Sequence, residues 1–108
     1  MSPESTTEAS LVFLYKENEL NKILRKQAST KEDIRILFVS LWDKASAVLL
    51  DKLKNKTDNK TTYVVDSFNM PHAFVIFNTT KIPHLVLLGN KKSSSLDYLP
   101  TVYRVLGV

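Results

Sequence analysis

The chain has 108 residues, a formal net charge of +4 at pH 7, 44% hydrophobic and 24% charged residues, and no cysteine. That length supports one domain with a single core, and the composition is that of an ordinary globular chain. The missing cysteines exclude disulfides, thiolate metal sites and cysteine-based redox or nucleophilic chemistry within the chain, and they fit a reducing compartment, cytoplasmic or nuclear.

Residues 1–10 are polar and acidic, without the basic start or apolar stretch of a signal peptide, and read as a flexible leader. No apolar run approaches the roughly 18 to 20 residues of a membrane span, so no membrane association is expected. The single domain is expected over residues 11–108. It opens with Leu11-Val12-Phe13-Leu14-Tyr15, a short apolar run of strand type. Residues 16–28 then place Leu20, Ile23, Leu24 and Gln27 at helical spacing. Glu17 and Glu19 in the opening turn and Arg25 and Lys26 in the closing turn both suit the helix dipole. Residues 29–33 are a polar connection.

The centre of the chain is Arg35-Ile36-Leu37-Phe38-Val39-Ser40-Leu41-Trp42, whose near-continuous apolar character predicts a strand buried on both faces. It passes at once into Asp43-Lys44-Ala45-Ser46 and a second helix. Asp43 suits the N-cap, because its carboxylate can accept from the unpaired amides of the first turn. Ala45, Val48, Leu49, Leu50 and Leu53 form that helix's apolar face, with Asp51, Lys52, Lys54 and Asn55 on its wet side. Residues 55–61 are polar and end it. Tyr63-Val64-Val65-Asp66 is the next strand, short and β-branched. Pro71 is placed to open a third, short helix running to about Phe77. Ile82-Pro83 leads into the strand His84-Leu85-Val86-Leu87-Leu88, and Gly89-Asn90 marks a hairpin. The returning strand is Lys91-Lys92-Ser93, whose charge suits a sheet edge. A last helix, capped by Ser94 or Ser95, carries Leu96, Leu99, Val102, Tyr103 and Leu106, and tolerates Pro100 only in its first turn.

This β-α-β-α-β-α-β-β-α order, with a proline opening the strand after the third helix, resembles the thioredoxin superfamily. The residues that carry the resemblance are Phe38-Val39-Ser40-Leu41-Trp42, Val64-Val65-Asp66 and Ile82-Pro83-His84. It implies an α/β, thioredoxin-like fold with a central mixed sheet of four to five strands flanked by helices. It also implies that Pro83 is the cis-proline facing the turn after the central strand. Redox members carry a Cys-x-x-Cys at that turn. Here the matching residues are Asp43-Lys44-Ala45-Ser46, in a loop either substituted or shortened, and no register supplies a thiol. The expectation is a non-redox member that is not an enzyme and uses no cofactor. Among cysteine-poor members the chain is similar to the small spliceosomal thioredoxin-like proteins. That likeness rests on Trp42-Asp43, on Tyr63-Val64-Val65-Asp66 with Pro71, and on Thr101-Val102-Tyr103-Arg104.

The candidate partner-binding residues are Trp42, Asp43, Lys44 and Ser46 on one loop and Ile82, Pro83 and His84 on the other. Trp42 reads either as an aromatic anchor for a partner or as a lid on the core. Asp43 and Lys44 read as ligand contacts at a helix N-terminus, or Asp43 simply as its cap. His84 reads as a contact for an extended partner segment, or as an exposed histidine at a strand start. His72, Asp66 and His84 lack the spacing of a metal site. No glycine-rich phosphate loop or nucleophile elbow occurs. The expected role is a protein-binding module or assembly component, holding a protein partner or a second copy through these loops or through the exposed edge strand that follows Pro83. The alternative is an RNA–protein particle component using a basic face of Lys44, Lys52, Lys54, Lys56, Lys60, Lys91 and Lys92.

Overall fold

The structure, a computed structural model, describes residues 11–54, 61–90 and 92–108. Residues 1–10, expected as a leader, lie outside the described residues, as do residues 55–60 and 91, and with them the lysines at 56, 60 and 91. Five strands and four helices follow in the expected order: β1 (Leu11–Leu14), α1 (Glu17–Thr30), β2 (Ile34–Val39), α2 (Lys44–Lys54), β3 (Thr62–Asp66), α3 (Pro71–Ile76), β4 (His84–Gly89), β5 (Lys92–Leu96) and α4 (Leu99–Leu106). The strands form one mixed sheet in the order β1-β3-β2-β4-β5. The first three are parallel, whereas β4 runs antiparallel to β2 and β5 antiparallel to β4.

The central strand carries the core because its alternation serves both faces. Ile34, Ile36 and Phe38 point to one side, where they meet Leu20 of α1 and Met70 and Ala73 around α3. Leu37 and Val39 point to the other, against Leu49, Leu50 and Leu53 of α2 and Val102 and Leu106 of α4. Phe38 is fully buried and packs edge-on to Phe74 at a centroid distance of 5.1 Å and tilted against Phe77 at 5.2 Å. Such aromatic pairs add to the area they bury.

Several boundaries differ from those the sequence suggests. Helix α1 continues to Thr30 and ends at Lys31 in the left-handed region (φ 62°). Arg25 and Lys26 therefore lie before its last turn, and Gln27 uses its amide to reach the carbonyls of Glu32 and Gly89, each at 3.2 Å. At the other end Glu19 accepts from the amides of Tyr15 and Lys16 at 2.8 and 3.1 Å, and these bonds hold its carboxyl below the usual range. Strand β2 stops at Val39, so Ser40, Leu41 and Trp42 belong to a turn. On α2, Leu49, Leu50 and Leu53 are buried as expected, but Val48 is exposed and Ser46 is buried.

The hairpin's return strand is longer than Lys91-Lys92-Ser93 and runs through Leu96, with Leu85 opposite Leu96. Ser93, Ser94 and Ser95 thus sit on an edge strand and cap nothing. The last helix starts at Leu99 after Tyr98, and Pro100 falls in its first turn, where no amide is required. The strand directly after Pro83, β4, is interior to the sheet; the edges are β1 and β5. No helix among the described residues is long and apolar enough to cross a membrane.

Truncating Phe38→Ala should cost about 3–5 kcal/mol of folding stability. Val75→Ser, on the exposed face of α3, should stay within about 0.5 kcal/mol. Urea unfolding midpoints of the two variants check both values.

Candidate functional site

The candidate residues gather at one end of the sheet because β2 and β3 both finish there while β4 begins there. Residues 40–43 make a tight turn in which the Asp43 amide donates to the Ser40 carbonyl at 3.0 Å and the Trp42 amide to Ser40 Oγ at 3.4 Å. Asp43 is then the N-cap of α2. Its Oδ2 accepts from the Ser46 amide at 2.8 Å and from Ser46 Oγ at 2.9 Å. Ser46 Oγ in turn accepts from the Ser40 amide at 3.3 Å. Both side chains are therefore used in closing the turn. The capping carboxylate occupies the helix N-terminus that an anionic ligand would need. The Ser46 hydroxyl is fully buried, closed off from molecules outside the fold.

Trp42 is 87% exposed, so it does not serve as a lid on the core. Lys44 beside it is exposed as well. Across the sheet end, Asp66 closes β3 with a carboxylate that is almost wholly buried. Its Oδ1 accepts from the Leu41 amide at 3.0 Å and its Oδ2 from the Phe68 amide at 2.9 Å. One carboxylate thus ties the β2–α2 turn to the β3–α3 turn, and the two turns display Leu41 (61% exposed) and Phe68 (74% exposed). The Ser67 amide also donates to the Val39 carbonyl at 3.0 Å, extending the β2–β3 ladder into the turns.

Ile82-Pro83 is a cis peptide bond. His84 pairs with Phe38. Continued one residue, that register sets Pro83 across from Val39 and Ile82 beside Ser40, so the proline loop borders the turn before α2. Pro83 is buried and Ile82 half-buried. His84 is 6% exposed, which corrects the reading of an exposed strand-start histidine and leaves its imidazole out of reach of a partner. Burial pushes its pKa down, with Asp97 acting weakly in the opposite sense. On the far side, β5 ends opposite the start of β4, so Asp97 and Tyr98 reach this same end. Tyr98 is 68% exposed.

The structure brings Trp42, Asp43, Lys44, Ser46, Ile82, Pro83 and His84 to one end of the sheet, but it sorts them by role. Trp42 and Lys44 face outward, Asp43 and Ser46 hold the turn, and Pro83 and His84 are interior. Leu41, Phe68 and Tyr98 are exposed members that the sequence reading did not single out. Phe68 carried a signal, as one aromatic between Ser67 and Asn69 in a turn. Leu41 was hidden by its place in an apolar run. His72 is exposed and Asp66 is engaged by two amides, so neither joins His84, and no metal-holding cluster occurs among the described residues. A cavity of about 770 Å³ opens at the opposite end, lined by Glu32, Asp33, Arg35, Gly89 and Asn90 among others. It lies away from all of these residues.

No protein-family model and no curated protein matches the chain. Solved structures do. Thioredoxin O2 of Arabidopsis thaliana, in its oxidized state, superposes with a TM-score of 0.74 at 21% identity over 92% of this chain and 93% of its own. The fold is thioredoxin-like. Thioredoxin NaTrxh of Nicotiana alata gives a TM-score of 0.77 at 10% identity, covering 91% of this chain and 90% of that one. A Schistosoma mansoni thioredoxin gives 0.69 at 16% identity, covering 94% and 96%. At such identities the likeness is one of fold. With no cysteine in the sequence, the Cys-x-x-Cys of thioredoxins is absent, and the helix start that the resemblance matches with it holds a hydrogen-bonded Asp43–Ser46 pair.

Asp66→Asn should destabilise the fold by about 1–3 kcal/mol, because the amide oxygen serves one turn while the NH2 group opposes the N–H of the other. Urea unfolding measures the cost. Hydrogen exchange at the Leu41 and Phe68 amides should quicken in the same variant.

Proposed function

We propose that this protein is a non-catalytic binding module with a thioredoxin-like fold, and that it holds a protein partner against the end of its sheet. The observation that carries the reading is the exposure of Leu41, Trp42, Phe68 and Tyr98, carried by three separate loops at the same end of the sheet. Large aromatic side chains held in water on pinned loops are the residue types that dominate protein-binding hot spots. The pinning matters as much as the exposure. A partner meeting the Leu41 and Phe68 turns finds them already ordered by Asp66, so less loop entropy is lost on binding. The hydroxyl that meets a carboxylate at this end, Ser46 on Asp43, is fully buried, out of a substrate's reach. The contact surface is Trp42 and Lys44 with Leu41, Phe68, Tyr98 and the half-buried Ile82. Asp43, Ser46, Pro83 and His84 give that surface its shape.

The test is affinity capture from the source cell, comparing the wild-type chain with a Trp42→Ala, Phe68→Ala double variant. A specific partner should lose at least about thirtyfold in affinity, the change expected when a hot-spot residue worth 2 kcal/mol is removed. A partner retained at full strength by the folded double variant overturns the reading. If RNA is what the wild type retains, with affinity falling steeply between low and moderate salt, the protein serves an RNA–protein particle through its lysines instead.

A further inference from the structure

Of the two histidines in the chain, His84 is the one the fold encloses. Neither Nδ1 nor Nε2 has a hydrogen-bond partner among the described residues, although both are buried. The ring meets Phe38 edge-on at 6.1 Å, and Phe38 is in turn packed by Phe74 and Phe77. An imidazole in such a place is tolerated while neutral, since a charge there would lose its hydration and gain no bonded acceptor.

The charged and titratable groups around it are few. Strand β2 faces it with Phe38. Helix α3 contributes Phe74 and its C-cap Phe77 to the cluster, and the helix's own histidine, His72, is exposed. Asp66 of β3 lies toward the other face of the sheet with both oxygens accepting from amides. Lys81 is exposed in the loop before Pro83. Asp97 remains, since the β4–β5 register continues from Leu85–Leu96 to set it opposite His84, and its charge acts on the ring.

We infer that His84 is an acid-sensitive latch beneath the docking face. Taking up a proton from solvent draws the imidazole out of the Phe38–Phe74–Phe77 cluster toward Asp97, and so loosens residues 82–84 where they border the turn before α2. The last step, loss of partner, rests on the proposed binding role; the latch itself does not. The sign follows from burial. Above about pH 6.5 the imidazole is neutral in both the folded and the unfolded chain, and the full stability is present. As the pH falls below that value the unfolded chain binds a proton that the folded chain resists. The folding equilibrium then weakens by up to tenfold per pH unit until the folded ring is itself protonated.

NMR titration of the free wild-type protein, from about pH 7.5 to about pH 4.5, tests this directly. The His84 ring signals, assigned apart from those of His72, should take up their proton below the usual histidine value. The amides of Leu41 and Ile82 and the Trp42 indole should shift with the same midpoint. In His84→Leu those shifts should vanish, and the loss of urea stability between about pH 7 and about pH 5 should shrink. Asp97→Asn should move the His84 midpoint to lower pH. Titration of His84 at the ordinary value overturns the proposal, as do shifts confined to its own ring. An acid loss undiminished in a folded His84→Leu does the same. An unmoved midpoint in Asp97→Asn removes Asp97 from the latch. If His84→Leu does not fold, the wild-type titration decides alone. None of these readouts needs a partner, so failure here leaves the docking reading standing, and failure of that reading leaves the titration meaningful.

Discussion

The end of the sheet that carries the proposed docking face depends on the carboxylate of Asp66. Two of its lone-pair directions are filled by backbone amides from different turns, Leu41 after the central strand and Phe68 after its neighbour. Bonds from an ionised acceptor to N–H donors are among the stronger ones a protein makes. They are needed here because the apolar side chains those turns display contribute almost nothing to holding the turns in place. Leu41, Trp42 and Phe68 stand in water, so burial cannot fix them. Backbone bonding does so instead, and it leaves the apolar groups displayed.

Beneath that display the sheet divides its labour by strand. β2 lends alternate side chains to the two halves of the core, and Phe38 is the point where the α3 side and the head of β4 converge. The same strand ends in the turn that starts α2, so the packing of Phe38 and the position of Ser40 to Asp43 are set together. His84 lies opposite Phe38 in the ladder. A polar ring thereby sits at the junction between the apolar core and the loops. Its neutral form is a condition of that arrangement.

Much of this was legible in the sequence. The order of elements, Pro71 at a helix start and Asp43 as a cap all follow from local chemistry that needs no tertiary context. What the sequence hid was decided by tertiary contacts. An unbroken apolar run gave no reason to stop the strand at Val39, because the bonds that end it come from Asp66, 25 positions further on. Ser94 and Ser95 have the chemistry of caps, yet cross-strand pairing with β4 claims them for the sheet. Histidine next to a proline at a strand start looks exposed. Only the ladder opposite shows that its ring faces Phe38. Ser46 is buried for a similar reason: its hydroxyl has two partners in the turn, the Ser40 amide and the Asp43 carboxylate.

The Asp43–Ser46 bond has a consequence for the conditions under which such a face can operate. Thioredoxins hold a pair of sulfurs at the corresponding helix start, and sulfur answers to the surrounding thiol–disulfide balance. A carboxylate and a hydroxyl do not. Met70, the methionine that closes the β3–α3 turn through its amide's hydrogen bond to the Asp66 carbonyl, is buried to 1% exposure and sheltered from peroxide. A turn closed in this way, by a carboxylate and a hydroxyl with no sulfur between them, keeps its outline whatever the surrounding thiol–disulfide balance.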